Sequence, residues 1–153
     1  MTDFEIFPLG DVVLQSGMTL RKAFLAYKTY GTLNAAKDNV IVYPTWFSGQ
    51  HYENEWLIGP EKALNPEKYF IIIPNMLGNG LSSSPSNTAA PSNAARFPHI
   101  TAYDNVKQQH RLVTKKFHID KIALVIGWSM GANQTYHWAV MFPAMVEVIS
   151  IYF

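Results

Sequence analysis

The chain has 153 residues, 12 Lys and Arg against 11 Asp and Glu, and a net charge of +1. That length suffices for one domain with a buried core, and the near-neutral charge gives no electrostatic case for nucleic acid or an anionic membrane surface as partner. With no cysteine there is neither a disulfide framework nor thiolate chemistry.

The N-terminus, Met1-Thr2-Asp3-Phe4-Glu5, lacks a basic-then-apolar run, so no signal peptide is read and a cytoplasmic location is expected. No apolar stretch approaches the roughly 18 residues of a membrane span. Phe4 to Phe7 and Asp11 to Gln15 are predicted as short strands, and Ala23 to Tyr30 as a longer one ending at Gly31. Val40 to Tyr43 is the first continuous apolar run, as expected of a strand covered on both faces by helices. Tyr69 to Ile73 is the second, Ile122 to Ile126 the third and Val148 to Phe153 the fourth. Over Thr101 to Phe117, Val106, His110, Val113 and Phe117 recur at helical spacing behind a T-x-x-D start signal at Thr101 and Asp104. Strands separated by helices predict a doubly wound, mostly parallel α/β sheet, with residues 1–153 in one domain.

From Pro74 to Pro98 the chain is dominated by Ser, Asn, Pro, Ala and Gly. Two readings are open: a floppy surface loop, or a loop that leaves the C-terminal end of a strand and shapes a neighbouring site. Gly78-Asn79-Gly80 is not a dinucleotide fingerprint, since no third glycine follows at the required spacing.

Gly127-Trp128-Ser129-Met130-Gly131 follows the third apolar run and precedes a helical pattern beginning at Ala132. G-x-S-x-G between a strand and a helix predicts a nucleophile elbow. The serine backbone is strained there, and small residues two before and two after it let strand and helix approach. Ser129 is the candidate nucleophile, and the helix N-terminus aims its first N–H groups at whatever the serine attacks. One oxyanion donor is then Met130 N–H; the other comes from the loop after the Val40 strand, where Trp46 or Phe47 would deliver it. Trp46, Phe47 and Trp56 are read either as walls of an acyl pocket or as core aromatics.

The catalytic partners of such a serine follow it in the order Ser, Asp or Glu, His. After Ser129 there remain Glu147 and His137. His137 lies eight positions on along the same helix, roughly 12 Å away at 1.5 Å per residue, and Glu147 falls at the opposite end of the sheet. His99, His110 and His118 precede the serine and are read as ordinary loop or helix residues. His51 near Glu53 and Glu55 has no further ligand at zinc spacing and is expected in a surface loop. Asn133-Gln134-Thr135 fits a glycosylation sequon but falls inside the post-elbow helix, where it carries no meaning. Aromatic residues make up 14% of the chain and charged ones 15%, where about 25% charged is usual; this predicts surfaces covered by something else.

Asn54-Glu55-Trp56-Leu57-Ile58-Gly59-Pro60-Glu61-Lys62-Ala63-Leu64, then Tyr69 to Asn75, Leu124 to Gly131 and Trp138-Ala139-Val140-Met141-Phe142-Pro143, resemble the homoserine O-acetyltransferase branch of the α/β-hydrolase superfamily in order and spacing. The resemblance covers nearly the whole chain. It implies an α/β-hydrolase fold present as its N-terminal part through the sixth strand, with Ser129 acylated and Met130 and Trp46 as oxyanion donors. It also implies that a helical lid, the Asp and the His lie in a segment beyond these residues. Family acetyltransferases carry a glycine-rich Gly-Gly-Cys-type stretch with Gly-Ser-Thr-Gly-Pro where this chain has Met76 to Ser83, and an arginine where it has Tyr103. A hydrolase or acyltransferase of the same branch acting on other substrates is therefore expected.

The expected reaction is acyl transfer from a small-molecule ester or thioester through an acyl-serine, with no metal or organic cofactor and acyl-CoA as a candidate substrate. The alternative is a non-catalytic module that keeps the hydrolase shape to bind a ligand or partner. Pairing of the Val148 to Phe153 strand with a second copy, a complementary chain or a further segment is also expected, because an open apolar edge is an association site.

Overall fold

The structure, a computed structural model, describes residues 2–153. Six strands form one sheet: β1 (Glu5–Val13), β2 (Thr19–Tyr30), β3 (Val40–Val42), β4 (Phe70–Pro74), β5 (Leu124–Trp128) and β6 (Ile149–Tyr152). Their order across the sheet is β1-β2-β4-β3-β5-β6. β2 pairs antiparallel with β1 on one side and β4 on the other, whereas β4, β3, β5 and β6 run parallel. Two helices, α1 (Ala102–Arg111) and α2 (Met130–Met141), supply the crossovers around β5. No helix among the described residues is long and apolar enough to cross a membrane.

The central strands are apolar at every position because both faces are covered. Val40, Val42 and Ile72 face one core with Val106, Leu112 and Trp138, while Ile41, Tyr43, Ile71 and Ile73 face the other with Ile126. Each fully buried aliphatic side chain contributes roughly 1.5–3 kcal/mol, so these short strands sit where displacement costs most.

Two short N-terminal strands are replaced by one bulged strand. β1 runs through Glu5–Val13 with register shifts between Pro8 and Gly10 and between Gly10 and Val12. Gly10, paired with Ala23, has φ +70, and Lys22 in the irregular stretch of β2 has φ 49, with its N–H donating to Asp11 Oδ1 at 2.9 Å. A bulge interrupts alternation, and the sequence pattern reads that interruption as a break. α1 begins as predicted: Thr101 Oγ1 accepts from Asp104 N–H at 3.2 Å and Asp104 Oδ2 accepts from Thr101 N–H at 3.0 Å. It ends at Arg111 and continues as a π-helical turn over Leu112–Lys116 rather than as regular helix to Phe117.

The segment after β4 is not floppy. Ser82, Ser83 and Ser84 are buried. Where β2 runs past the end of β4, the N–H groups of Phe24 and Ala26 donate to Ser83 Oγ and Ser82 Oγ, both at 2.9 Å. Ser82 Oγ in turn donates to the Asn75 carbonyl at 2.8 Å. The serines thus complete the hydrogen bonding that a longer β4 would supply, and they tie the loop to the sheet end where the site lies.

Candidate active site

β5 leads into the site and α2 leaves it. Ser129, between them, has φ 53 and ψ −121, a conformation costly for a residue with a Cβ. The glycines show why the turn closes here. A Cβ on Gly127 would lie 2.2 Å from the Gly131 carbonyl oxygen, and one on Gly131 would lie 2.9 Å from the Pro44 carbonyl oxygen. The Ser129 N–H donates to the Tyr152 carbonyl at 3.2 Å, which leaves the residue exposed at the C-terminal ends of β5 and β6.

The loop after β3 crosses the N-terminus of α2. Thr45 is fully buried, and the Trp46 indole packs edge-on against Trp128 with ring centroids 4.8 Å apart. Gly49 allows that packing, since a Cβ there would be 2.7 Å from the Trp46 ring. The backbone N–H groups of Trp46 and Met130 donate to no other group among the described residues. Both flank the elbow, Met130 as the first residue of α2 and Trp46 through its contact with Trp128. Of the three aromatics with two open readings, Trp46 is half-buried, whereas Phe47 and Trp56 are exposed and so are not core. Trp56 contacts Tyr152 edge-on at 6.4 Å. Tyr152 in turn shares a hydroxyl–hydroxyl hydrogen bond of 2.5 Å with Tyr43, whose phenol burial pushes well above the usual range.

His51 is a correction. It is 1% exposed rather than in a surface loop. Its N–H donates to Asn75 Oδ1 at 3.0 Å, its Nδ1 lies 3.3 Å from Asn75 Nδ2, and its Nε2 lies 3.1 Å from Asp3 Oδ2. An Asn amide nitrogen can only donate, so Nδ1 accepts and Nε2–H points to Asp3. The same hydrogen bond holds the Asp3 carboxyl below the usual carboxylate range. Asn75 Oδ1 also accepts from Asn79 Nδ2 at 2.9 Å, and that nitrogen reaches the Gly49 carbonyl at 3.1 Å. His51 therefore braces the loops on either side of the site.

The titratable residues after Ser129 stay apart from it. His137 Nδ1 lies 2.9 Å from the Asn133 carbonyl, one turn back along α2. The Glu147 N–H donates to the Ile122 carbonyl at 3.0 Å, before the first residue of β5 and so at the end of the sheet away from Ser129. Helical periodicity also passes over Gln109 and Gln134, two buried amides joined side chain to side chain at 2.6 Å beneath the elbow. A long polar side chain within an otherwise buried helix face is the only trace they leave in the sequence.

A profile of the alpha/beta hydrolase fold matches residues 39–148. The chain belongs to the alpha/beta hydrolase fold family. Within the family it is 45% identical over 145 residues to an ethyl acetate hydrolase of Pseudomonas veronii, covering 94% of this chain and 42% of that protein. It is 38% identical over 164 residues to a homoserine O-acetyltransferase of Methanobrevibacter ruminantium, covering 96% of this chain and 33% of that one. The crystal structure of an acetylester hydrolase from Corynebacterium glutamicum superposes with a TM-score of 0.92 at 44% identity, over 95% of this chain and 42% of that one. The chain thus spans well under half the length of these relatives. The resemblance to homoserine O-acetyltransferases holds, and the ester hydrolases match at higher identity.

Proposed function

We propose that Ser129 is the nucleophile of an acyl-transfer enzyme, and that residues 1–153 form the N-terminal part of a single hydrolase domain. The observation that carries this is the strained backbone of Ser129, at φ 53, on a strand-to-helix turn beside two unpaired N–H groups. Strain of this kind costs on the order of 1–3 kcal/mol and persists where the surroundings over-determine it, as at a catalytic residue.

In the complete protein, Ser129 Oγ attacks the carbonyl carbon of a small ester as a general base takes its proton. The Trp46 and Met130 N–H groups receive the oxyanion, the alcohol leaves with a proton, and water then releases the acid from the acyl-serine. The base and the carboxylate that orients it come from polypeptide beyond these residues, since neither His137 nor Glu147 reaches Ser129. No metal or organic cofactor enters these steps; acyl-CoA remains a candidate donor. The esterases' higher identity and the chain's own Met76 to Ser83 stretch favour hydrolysis of short-chain acyl esters over acetylation of homoserine.

The test is to compare kcat/KM of the complete protein for ethyl acetate hydrolysis with that for homoserine acetylation from acetyl-CoA, alongside Ser129→Ala. The ester should be preferred, and Ser129→Ala should abolish turnover. Efficient homoserine acetylation would overturn the substrate assignment, and an active Ser129→Ala would overturn the nucleophile.

A further inference from the structure

We propose that Gln134 is a positioning residue that aims the Trp46 N–H into the oxyanion site, at the end of a buried relay running Trp138, Gln109, Gln134, Thr45. This rests on the assignment of the Trp46 N–H as an oxyanion donor.

The Thr45 carbonyl and the Trp46 N–H belong to one planar trans peptide unit, so they point in opposite directions and whatever holds the oxygen orients the hydrogen. Gln134 Nε2 donates to the Thr45 carbonyl at 2.9 Å and lies 3.2 Å from the Met130 carbonyl. One amide nitrogen therefore spans the loop that carries one donor and the helix turn that carries the other. The other bonds to this loop hold its neighbours rather than that carbonyl: the Thr45 N–H reaches the Pro74 carbonyl at 3.4 Å, Thr45 Oγ1 accepts from the Met76 N–H at 3.0 Å, the Trp46 carbonyl accepts from the Gly49 N–H at 3.0 Å, and Asn54 Nδ2 holds the Tyr43 and Pro44 carbonyls at 3.2 and 3.5 Å. Gln134 acts on the Thr45 oxygen itself.

The relay has one direction. Trp138 Nε1–H donates to Gln109 Oε1 at 2.8 Å, and Gln109 Nε2 donates to Gln134 Oε1 at 2.6 Å. An indole can only donate and a backbone carbonyl can only accept, so the two ends dictate the orientation of both amides between them. Trp138, Gln109, Gln134 and Thr45 are each no more than 1% exposed. Among side chains this deeply buried, successive hydrogen bonds polarise one another. A donor on the Thr45 oxygen draws charge from the Trp46 N–H and makes it a better partner for an oxyanion. Burying two amides costs free energy that apolar side chains would not, and the cost is offset only while every link is made.

The test uses the complete protein with Gln134→Met, Gln109→Met, Trp138→Phe and the Gln134→Met/Gln109→Met double variant, on p-nitrophenyl acetate. A boronic acid that mimics the tetrahedral oxyanion is the second probe. Gln134→Met should lower kcat about 10- to 100-fold, below the roughly 10²–10³-fold loss of a whole oxyanion donor, with KM within about twofold. The boronate Ki should weaken by a similar factor. Gln109→Met and then Trp138→Phe should show the same kcat-only signature with decreasing size, and the double variant should be no worse than Gln134→Met alone, because the links act as one unit.

A folded Gln134→Met with kcat within about twofold of the parent would overturn the proposal. So would losses carried by KM, losses that track melting temperature rather than place in the relay, or full additivity in the double variant. If Gln134→Met does not fold, an unchanged kcat in folded Gln109→Met overturns it equally. An active Ser129→Ala would instead overturn the nucleophile and, with it, the oxyanion site on which the Trp46 N–H assignment rests; a dead Ser129→Ala beside an undisturbed Gln134→Met would overturn the relay alone.

Discussion

Gly127 and Gly131 face each other across the elbow so closely that a Cβ on the first would lie 2.2 Å from the carbonyl oxygen of the second and 2.6 Å from Thr135 Oγ1. Real side chains do not make such contacts with backbone, so strand and helix can meet only where residue 127 lacks one, and the Pro44 loop can cross the helix start only where residue 131 lacks one. The elbow is therefore held by sterics before any chemistry is considered.

Gly127→Ala should destabilise the protein by about 3 kcal/mol or more, since the clash is with backbone that cannot yield without opening the turn. Gly131→Ala should cost less stability but more function, because its Cβ meets the Pro44 carbonyl at 2.9 Å and pushes the Pro44 to Trp46 loop away from Ser129. Urea denaturation alongside esterase assays of the complete protein separates the two effects. Equal stability losses with retained activity would contradict this account.

Ser129→Gly should be more stable than Ser129→Ala by about 1 kcal/mol, although neither can be acylated. Glycine accepts φ 53 without penalty, whereas alanine keeps the steric cost. Midpoints of chemical denaturation for the two variants decide the matter, and coincident curves would mean that the serine backbone stores no strain.

Much of this was legible in the sequence for local reasons. The Val40 to Tyr43 run predicts a strand buried on both faces, the Thr101 and Asp104 pair predicts a helix start, and G-x-S-x-G predicts the elbow. What escaped depends on contacts distant in sequence. β5 lies two residues later than its apolar run suggests, because Gly127 and Trp128 pair with Ile151 and Tyr152 while Ile122 makes only an isolated bridge to Val146. Glycine is a poor strand marker, and nothing local announces its partner. His51 is buried by Asn75 and Asp3, which lie 24 and 48 positions away. The Gln109 and Gln134 contact, across 25 positions and two helices, is equally invisible to periodicity.

His110 should make stability fall on mild acidification. Its ring stacks on Phe142 at 3.9 Å, and burial, followed by repulsion from Lys115, pushes its pKa below the ordinary value. The unfolded chain then binds the proton first, near pH 6.5. The contribution of neutral His110 is therefore complete above about pH 6.5 and is lost as pH falls through the depressed folded value. Melting temperatures from pH 7.5 to 5 should drop more steeply in the parent than in His110→Phe, and parallel curves would refute the assignment.

The 153-residue chain by itself should react with a fluorophosphonate far more slowly than the complete protein. An oxyanion site without its base leaves typically only about 10³–10⁴-fold acceleration over water, and His137 is held against the Asn133 carbonyl at 2.9 Å. Rapid stoichiometric labelling at Ser129 in the isolated chain would show that a base lies within reach after all.

The isolated chain should also associate along β6. β6 pairs with β5 alone, as the last strand of the sheet, so its outer N–H and C=O groups form an edge. Val148 beside it is 57% exposed, Phe153 88% and Val140 79%. Neither charge nor proline interrupts Val148 to Phe153, the devices that ordinarily blunt such an edge. A contiguous apolar surface of more than a few hundred Å² is unusual on a soluble monomer, so in the complete protein this edge should be covered by further polypeptide. Light scattering on the isolated chain should show dimers or larger species, with slow hydrogen exchange at the outward-facing amides of Ile149 to Tyr152. Replacing Ile151, whose neighbour across β5 is Gly127, would disturb the elbow as well, so Val148→Lys is the cleaner probe. It places a charge beside the edge through an exposed side chain, while the Val148 carbonyl can keep its bond from the Val125 N–H at 3.0 Å, and it should return the chain to a monomer whose edge amides exchange freely. A parent chain already monodisperse and monomeric, with free exchange along β6, would show that this edge needs no partner.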